Sequence, residues 1–230
     1  MPRSVAENWW IVRTLGQQRY LLVSLLALLV LLPILASEGP DRVLLYTLMT
    51  LIVITGPISL ASSRLALFLG MFLAIMVYVP GWVTVTEPAP PAALWVTSIS
   101  AMLFFAHLGI LLFSQHLGFD NDEVNFESIL AAINAYLCMG LTFAFAYSAA
   151  TLADPDSFAG TFMDDPLRDQ MEGFIYFSFV TMTTLGYGDI SPMTAMAGVL
   201  AYMQAVAGQL YIALTIARVV GINVSQQRKT

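Results

Sequence analysis

The sequence predicts an all-α membrane protein with six transmembrane helices. Between the last two, a shorter helix and a loop are expected to enter the membrane and turn back. Hydrophobic residues make up 58% of the 230 residues and charged residues only 10%, a balance that soluble domains of this length seldom show. Six apolar runs are long enough to cross a bilayer as helices, for which about 20 residues are needed. These runs are residues 20–36, 43–61, 65–85, 92–113, 129–152 and 194–222.

The distribution of basic residues predicts the orientation. If both termini lie in the cytoplasm, all nine Lys and Arg residues except Arg42 and Arg168 fall on the cytoplasmic side, where an excess of basic residues is usual. We therefore expect a multi-pass protein of the plasma membrane, and the short loops favour a prokaryotic inner membrane. The net charge of -6 argues against a nucleic-acid partner, because nucleic acids bind basic surfaces.

The segments outside the apolar runs are short. Before the first run, "ENWWIVRTLG" places Trp9 and Trp10 near Arg13. This pattern suits a short helix lying in the membrane interface or a plain aromatic anchor for the first span. We expect no soluble regulatory domain, since no loop or tail is long enough for one. The sequence also contains no metal-ligand cluster, nucleophile–base pair or phosphate-binding loop, so it does not favour an enzyme.

The segment between the fifth and sixth runs differs from the rest. Its apolar stretch, residues 174–180, is about half a span, so it cannot cross the bilayer as a helix. Asp169 can cap this helix, and Glu172 stands three residues on, as in a capping box. We expect the helix to end at Thr183. Its carbonyl end carries partial negative charge and favours a cation.

The sequence "TTLGYGD" follows at the end of this helix. Non-helical backbone is tolerated at membrane depth only where protein buries it or water lines it. Glycines permit backbone angles that are closed to other residues, and alternating them with L-residues lets successive carbonyl groups point the same way. Several chains around one axis would then stack rings of oxygen atoms, which replace the water shell of a dehydrated cation.

"TLGYGD" resembles the selectivity filter of potassium channels, whose usual form is TVGYG, and "FVTMTTLGYGD" is similar to the voltage-gated branch. The resemblance covers about residues 125–222 and implies a homotetramer that conducts K+ passively and selectively. It implies that K+ is coordinated by the carbonyls of the first four filter residues and by the Thr184 hydroxyl. Tyr187 is the residue that non-selective relatives usually lose. The implied filter residues are Thr184, Leu185, Gly186, Tyr187 and Gly188.

This chain departs from the family beside the filter. Voltage-gated relatives carry two tryptophans where this chain has Tyr176 and Phe177. In the family, the first of these helps to brace the acidic residue after the filter, which here is Asp189. The Tyr176 hydroxyl can still form that hydrogen bond, and Phe177 and Thr183 are further candidates for filter support. We expect a weaker brace and a filter that inactivates readily.

The last helix follows the filter closely. Ser191 and Pro192 fit its N-cap and first position. Gly208 stands where the family often has a hinge glycine, and it can equally serve close helix packing. Gln209 either lines the cavity below the filter or bonds to a neighbouring helix.

The far end of the last helix predicts a gate without a proline bend. Thr215, Ile216 and Ala217 stand in place of the Pro-x-Pro kink of voltage-gated relatives. Apolar constrictions can gate by dewetting, and we expect Ile212, Ile216 and Val220 to lie at this level.

The first four spans suggest the arrangement of a voltage sensor, but the basic residues that a sensor needs are missing. A sensor needs several arginines along its fourth span, and residues 92–116 contain none, so we expect no steep voltage gating. His107 either titrates as a sensor or stays neutral and hydrogen-bonded. The linker acids either bind a divalent ion or a proton, or simply favour the start of the next helix. These acids are Asp120, Asp122 and Glu123.

The expected organisation has five parts. They are a cytoplasmic or interfacial segment (1–19), a four-helix domain (20–114), a cytoplasmic linker (115–126), a pore domain (127–222) and a short cytoplasmic tail (223–230). Two other interpretations stay open: a modulatory subunit that joins other pores, and a potassium transporter subunit. Such transporters usually carry several degenerate filters in one chain, whereas this chain has one intact filter. We expect K+ and membrane lipids as partners and no cofactor.

Overall fold

The computed structural model describes residues 18–35, 52, 56–57, 60, 64–85, 90–117, 126–160 and 170–227. These residues are mostly helical, with one short antiparallel sheet. The helices are α1 (Gln18–Leu35), α2 (Arg64–Val85), α3 (Pro91–Leu117), α4 (Phe126–Ala153), α5 (Met171–Met182) and α6 (Ala195–Gln227), and the strands are β1 (Phe158–Gly160) and β2 (Ile190–Pro192).

Helices α2, α3, α4 and α6 are each long and apolar enough to cross a membrane. They coincide with the third, fourth, fifth and sixth predicted runs. Helix α1 adds a shorter apolar stretch, Gln18–Leu31, within the first run. Most of the second run, residues 43–61, lies outside the described residues. The protein is therefore a multi-pass, helical membrane protein.

Helix α5 is too short to cross the membrane. Its 12 residues span about 18 Å, whereas the hydrocarbon core of a bilayer is about 30 Å thick. The helix begins at Met171, and Gln170 occupies its N-cap position without a capping side-chain bond. The predicted cap, Asp169, lies outside the described residues. Helix α5 ends as the sequence predicts, with Thr183 in the C-cap position.

Helix α4 is the centre of the described structure, because α1, α3, α5 and α6 all pack against it. Against α3, Phe145 stacks on Phe105 with ring centroids 5.8 Å apart. Nearby, the hydroxyl oxygens of Ser98 and Ser148 lie 2.9 Å apart. The helices before the linker thus pack directly on the helix that leads towards α5.

A chain of amide side chains ties the start of α4 to the helices before it. The Asn134 Nδ2 donates to the Gln18 carbonyl oxygen (2.9 Å) and to Gln18 Oε1 (3.2 Å). Gln18 Nε2 donates to Gln115 Oε1 at 3.2 Å, and Gln115 Nε2 donates to the Leu60 carbonyl at 3.1 Å. These directional bonds hold α1, α3, α4 and the segment at Leu60 in one arrangement.

The two-stranded sheet corrects the prediction for the start of the last helix. Ser191 and Pro192 lie in β2, with Pro192 opposite Phe158 in β1, and α6 begins only at Ala195. The Thr194 hydroxyl accepts the Ala197 N–H at 3.3 Å, so Thr194 caps the helix. Residues 190–192 form a strand and not the start of the helix, because β1 supplies hydrogen-bonding partners for their backbone.

The same sheet brings β1 close to the residue that follows the loop after α5. Gly160 has a φ of 121°, and a Cβ there would lie 1.9 Å from the Asp189 carbonyl oxygen. Only glycine permits both this backbone angle and this close approach. The sheet therefore anchors the far end of the loop between α5 and α6.

Candidate functional site

The loop that follows α5 has an alternating backbone. Thr184, Gly186 and Gly188 have φ values of 61°, 57° and 80°. Leu185 and Tyr187, which lie between them, are not among the described residues with positive φ. Residues with positive φ that alternate with residues of ordinary φ turn successive carbonyl groups towards the same side. The backbone therefore has the form that stacked carbonyl ligands require.

Thr184 is the strained residue of this loop. It is the one described residue other than glycine with positive φ, and a β-branched residue in that region is an outlier. The left-handed region costs an L-residue about 1–2 kcal/mol, and such strain persists where the surroundings impose it, often at functional sites. Here the Thr184 N–H is held by the Thr181 carbonyl at 3.1 Å.

The start of the loop is bonded to the end of α5. The N–H groups of Leu185 and Gly186 both donate to the Val180 carbonyl, at 3.0 and 3.3 Å. The Thr183 hydroxyl donates to the Phe179 carbonyl at 2.7 Å, within the last turn of the helix. Any movement of α5 therefore moves the first residues of the loop with it.

The glycines of the loop are needed for their backbone angles and not for lack of space. A Cβ at Gly186 or Gly188 would meet nothing within 4 Å in the single chain. The side chains of Leu185 and Tyr187 are 55% and 67% exposed. The loop thus lies on an open face of the subunit.

The hydrogen bond expected between Tyr176 and Asp189 is present. The Tyr176 hydroxyl donates to Asp189 Oδ2 at 2.6 Å, and the Ile190 N–H donates to Asp189 Oδ1 at 3.2 Å. A phenol is protonated at physiological pH, so Tyr176 can donate this bond.

Phe177 supports this region by packing. It is buried, and its ring lies 5.0 Å from that of Tyr147 and 5.5 Å from that of Phe158, measured between centroids. It thus joins α5 to α4 and to β1. Of these two neighbouring residues, Tyr176 bonds to the acid and Phe177 fills the core behind it.

A buried polar network that the sequence does not predict lies behind α5. The Tyr147 hydroxyl donates to Gln204 Oε1. Gln204 Nε2 in turn donates to the Ser178 hydroxyl at 2.6 Å and to the Ser178 carbonyl at 3.1 Å. The Ser178 hydroxyl donates to the Gly140 carbonyl at 2.6 Å. The available signal is a glutamine in an apolar span, and the sequence contains two: the prediction names Gln209, which is exposed in the single chain, whereas Gln204 is the buried one.

Gly208 makes a close contact. A Cβ at this position would lie 2.7 Å from Met182 Cγ and 3.0 Å from the Met182 carbonyl oxygen. Helix α6 continues unbroken through Gly208. The glycine thus lets α6 approach the end of α5, which is the packing role that the sequence left open beside the hinge.

The predicted gate residues share one exposed face of α6. Ile212, Ile216 and Val220 recur every four residues and are all exposed in the single chain. Residues spaced by four lie on one side of a helix. This face is apolar and is free to meet other copies of the chain or lipid.

The predicted sensor residues fall into two groups. His107 Nε2 lies 3.1 Å from the Ala66 carbonyl, which joins α3 to α2; because a carbonyl only accepts, this nitrogen donates. Asp120, Asp122 and Glu123 lie outside the described residues. Within the described part of the chain, no group of three or more His, Cys, Asp or Glu residues is placed to hold a metal ion.

Comparison with known proteins agrees with this site. A family model described as "Ion channel" matches residues 131–224, which contain most of α4, all of α5, the loop and most of α6. Potassium voltage-gated channel subfamily A member 5 of Mustela putorius furo is 28% identical over 121 residues. That alignment covers 51% of this chain and 13% of the relative, so the two share only a small part of the relative's length. No solved structure gives a significant match. Residues 131–224 are thus similar to an ion-channel family, and the curated relative that matches part of the chain is a potassium channel.

Proposed function

We propose that the protein is a potassium-selective channel in which four copies of the chain surround one axis and each supplies residues 184–188. The observation that carries the proposal is the alternating positive φ at Thr184, Gly186 and Gly188, at the end of a helix too short to span the membrane. One chain offers a single strand of carbonyls, and a dehydrated cation needs rings of them. The open face on which the loop lies fits such an assembly.

In this mechanism the chain replaces the hydration shell of K+. The carbonyls of Thr184, Leu185, Gly186 and Tyr187 and the Thr184 hydroxyl act as ligands, and Gly188 completes the filter. The carbonyl end of α5 adds partial negative charge near its entrance. No chemical bond is made or broken, so conduction is passive.

The remaining parts of the pore follow from this arrangement. With both termini in the cytoplasm, α6 runs inward from the filter, and Ile212, Ile216 and Val220 form an apolar constriction that gates by dewetting. Gly208 sets the packing of α6 on α5, and Gln209 faces the cavity above the constriction. The domain of residues 20–114 packs on the pore domain of residues 127–222. It does not confer steep voltage gating, because residues 92–116 carry no arginine.

Flux into liposomes tests the proposal. Purified protein is reconstituted, and K+ uptake is measured with and without competing Na+ and with Ba2+ as blocker. We expect uptake that Ba2+ blocks and that Na+ scarcely reduces. Equal K+ and Na+ flux would contradict the proposed selectivity. No flux from an intact oligomer, even after the Ile216→Ala and Val220→Ala substitutions that widen the constriction, would favour the modulatory subunit.

A further inference from the structure

We infer that Gln204 and Ser178 are positioning residues for the filter: their buried hydrogen bonds set the place of α5, and through α5 the place of residues 184–186. This inference rests on the proposed channel function. It concerns three helices of one subunit and is separate from the Tyr176–Asp189 brace. The bonds involved join α4, α5 and α6 behind the loop.

Every polar group of this network has a defined partner. Gln204 uses Nε2 on the Ser178 hydroxyl and carbonyl and uses Oε1 to accept from Tyr147. The Ser178 hydroxyl accepts from Gln204 and donates to the Gly140 carbonyl. Because a carbonyl only accepts, the direction of every bond is determined. The side chains of Tyr147, Ser178 and Gln204 are fully buried.

Packing alone does not fix the position of α5 along its axis or its rotation about that axis, whereas these hydrogen bonds do. Gly140 lets α4 approach α5, since a Cβ there would lie 2.6 Å from Phe179 Cζ. Gly208 does the same for α6 at Met182. Apolar contacts of this kind resist separation but are weak against sliding along the helix or rotation about it. Hydrogen bonds are directional, and in an apolar interior without water no substitute partner is at hand.

The route from the network to the filter is short. Ser178 lies two residues before Val180 in α5. The Val180 carbonyl accepts the N–H groups of Leu185 and Gly186. A shift of α5 therefore displaces the anchor of these two residues. The Tyr176–Asp189 bond holds the other end of the loop. The network and the brace thus act on opposite ends of the same five residues.

The test compares variants that break the network with one that breaks a buried bond elsewhere. Gln204→Leu and Ser178→Ala remove network bonds. Ser98→Ala removes the buried Ser98–Ser148 bond between α3 and α4 and leaves α5 untouched. For each, the K+/Na+ flux ratio is measured in liposomes. The melting temperature of the oligomer is measured in KCl and in NaCl, and the difference between the two reports ion binding independently of flux.

We expect Gln204→Leu and Ser178→Ala each to lower the K+/Na+ flux ratio by about tenfold, which corresponds to about 1.4 kcal/mol. We also expect both to shrink the difference in melting temperature between the two salts. Ser98→Ala should lower both melting temperatures equally and leave the flux ratio unchanged. A role in stability alone predicts that the network variants behave as Ser98→Ala does, and that result would overturn the inference.

A double substitution and a milder variant complete the design. Tyr147→Phe removes the donor to Gln204, so it should lower the flux ratio less than Gln204→Leu. Combined with Gln204→Leu it should add little, since residues of one network are not additive. If the Gln204→Leu variant does not assemble into an oligomer, the flux ratio and the melting-temperature difference of Ser178→Ala test the inference in the same way. A wild-type protein that passes K+ and Na+ equally contradicts the proposed function, whereas a selective wild type with unchanged network variants contradicts this inference alone.

Discussion

The proposed pore region, α4 to α6, and the helices before it are built from similar apolar segments but differ in how they use polar groups. In the pore region, three fully buried polar side chains from three helices bond to one another behind the loop. The earlier helices also bury polar side chains, but the bonds described for them go to one another and to α4 and not to α5: Gln18 bonds to Gln115 and Asn134, and Ser98 bonds to Ser148. Residues 43–114 contain only two Asp, Glu, Lys or Arg residues, Arg64 and Glu87.

This difference separates two tasks. Directional bonds and a strained backbone angle restrict the geometry of the loop and its supporting helix, and a cation site requires such restriction. Apolar packing such as Phe105 on Phe145 gives cohesion without that restriction. The earlier helices bond to α4 but carry almost no charged residues, so they suit a packing partner of α4 better than a device that moves charge across the membrane.

The largest effect is expected at Gly186. Gly186→Ala should lower K+ flux by about tenfold or more, because an L-residue at its φ of 57° is strained by about 1–2 kcal/mol and each subunit would carry the strain. The added methyl group meets nothing within 4 Å of the same chain. Gly198→Ala is the matched control, since Gly198 is also uncrowded but lies in a helix. It should leave flux unchanged. Equal flux from both variants would contradict the role of the backbone angle.

The next largest effect is expected from the hydrogen bond between Tyr176 and Asp189. Tyr176→Phe removes the 2.6 Å bond to Asp189, and we expect K+ current to decay a few times faster under sustained flux. Tyr202→Phe, at an exposed tyrosine of α6, should not change the decay. If the wild-type current does not decay and Tyr176→Phe adds no decay, the filter is not limited by this brace.

A smaller effect is expected at His107 in the earlier helices. His107→Leu should lower the free energy of unfolding by about 0.6–1 kcal/mol through loss of one hydrogen bond, with the K+/Na+ flux ratio unchanged. His107→Gln retains a donor and should recover part of the stability. A change in ion selectivity in His107→Leu would mean that the earlier helices help to define the filter.

The smallest effect is expected from voltage. One elementary charge that crosses the whole field contributes about 2.3 kcal/mol per 100 mV, and residues 92–116 carry no arginine to move. Single-channel recording should therefore show an open probability that changes by less than about twofold over a 100 mV step. A steep dependence would show that charge moves elsewhere in the protein.

Local sequence chemistry predicted the parts of the site that depend on single residues. The glycines at 186 and 188 predict positive φ because few other residues adopt it, and Tyr176 has a hydroxyl that reaches Asp189. Thr184 was not predictable in this way, since a β-branched residue disfavours the angle it adopts. Its conformation follows from the bonds at the end of α5.

The features that depend on long-range contacts could not be predicted from the sequence. Ser191 and Pro192 form a good capping pattern, but their pairing with β1 decides their structure. Helix α6 is apolar on most sides, so periodicity does not reveal which face is buried, and Gln204 and Gln209 look alike in the sequence. Only the approach of α4 and α5 places Gln204 in the core and leaves Gln209 exposed.

An experimental structure of the purified oligomer with Rb+ or Ba2+ tests the central claim most directly. The account predicts four copies around one axis, with anomalous density for the ion on that axis between the carbonyl oxygens of Thr184, Leu185, Gly186 and Tyr187. An oligomer whose 184–188 loops face away from the axis, or an axis without ions at these carbonyls, would contradict it.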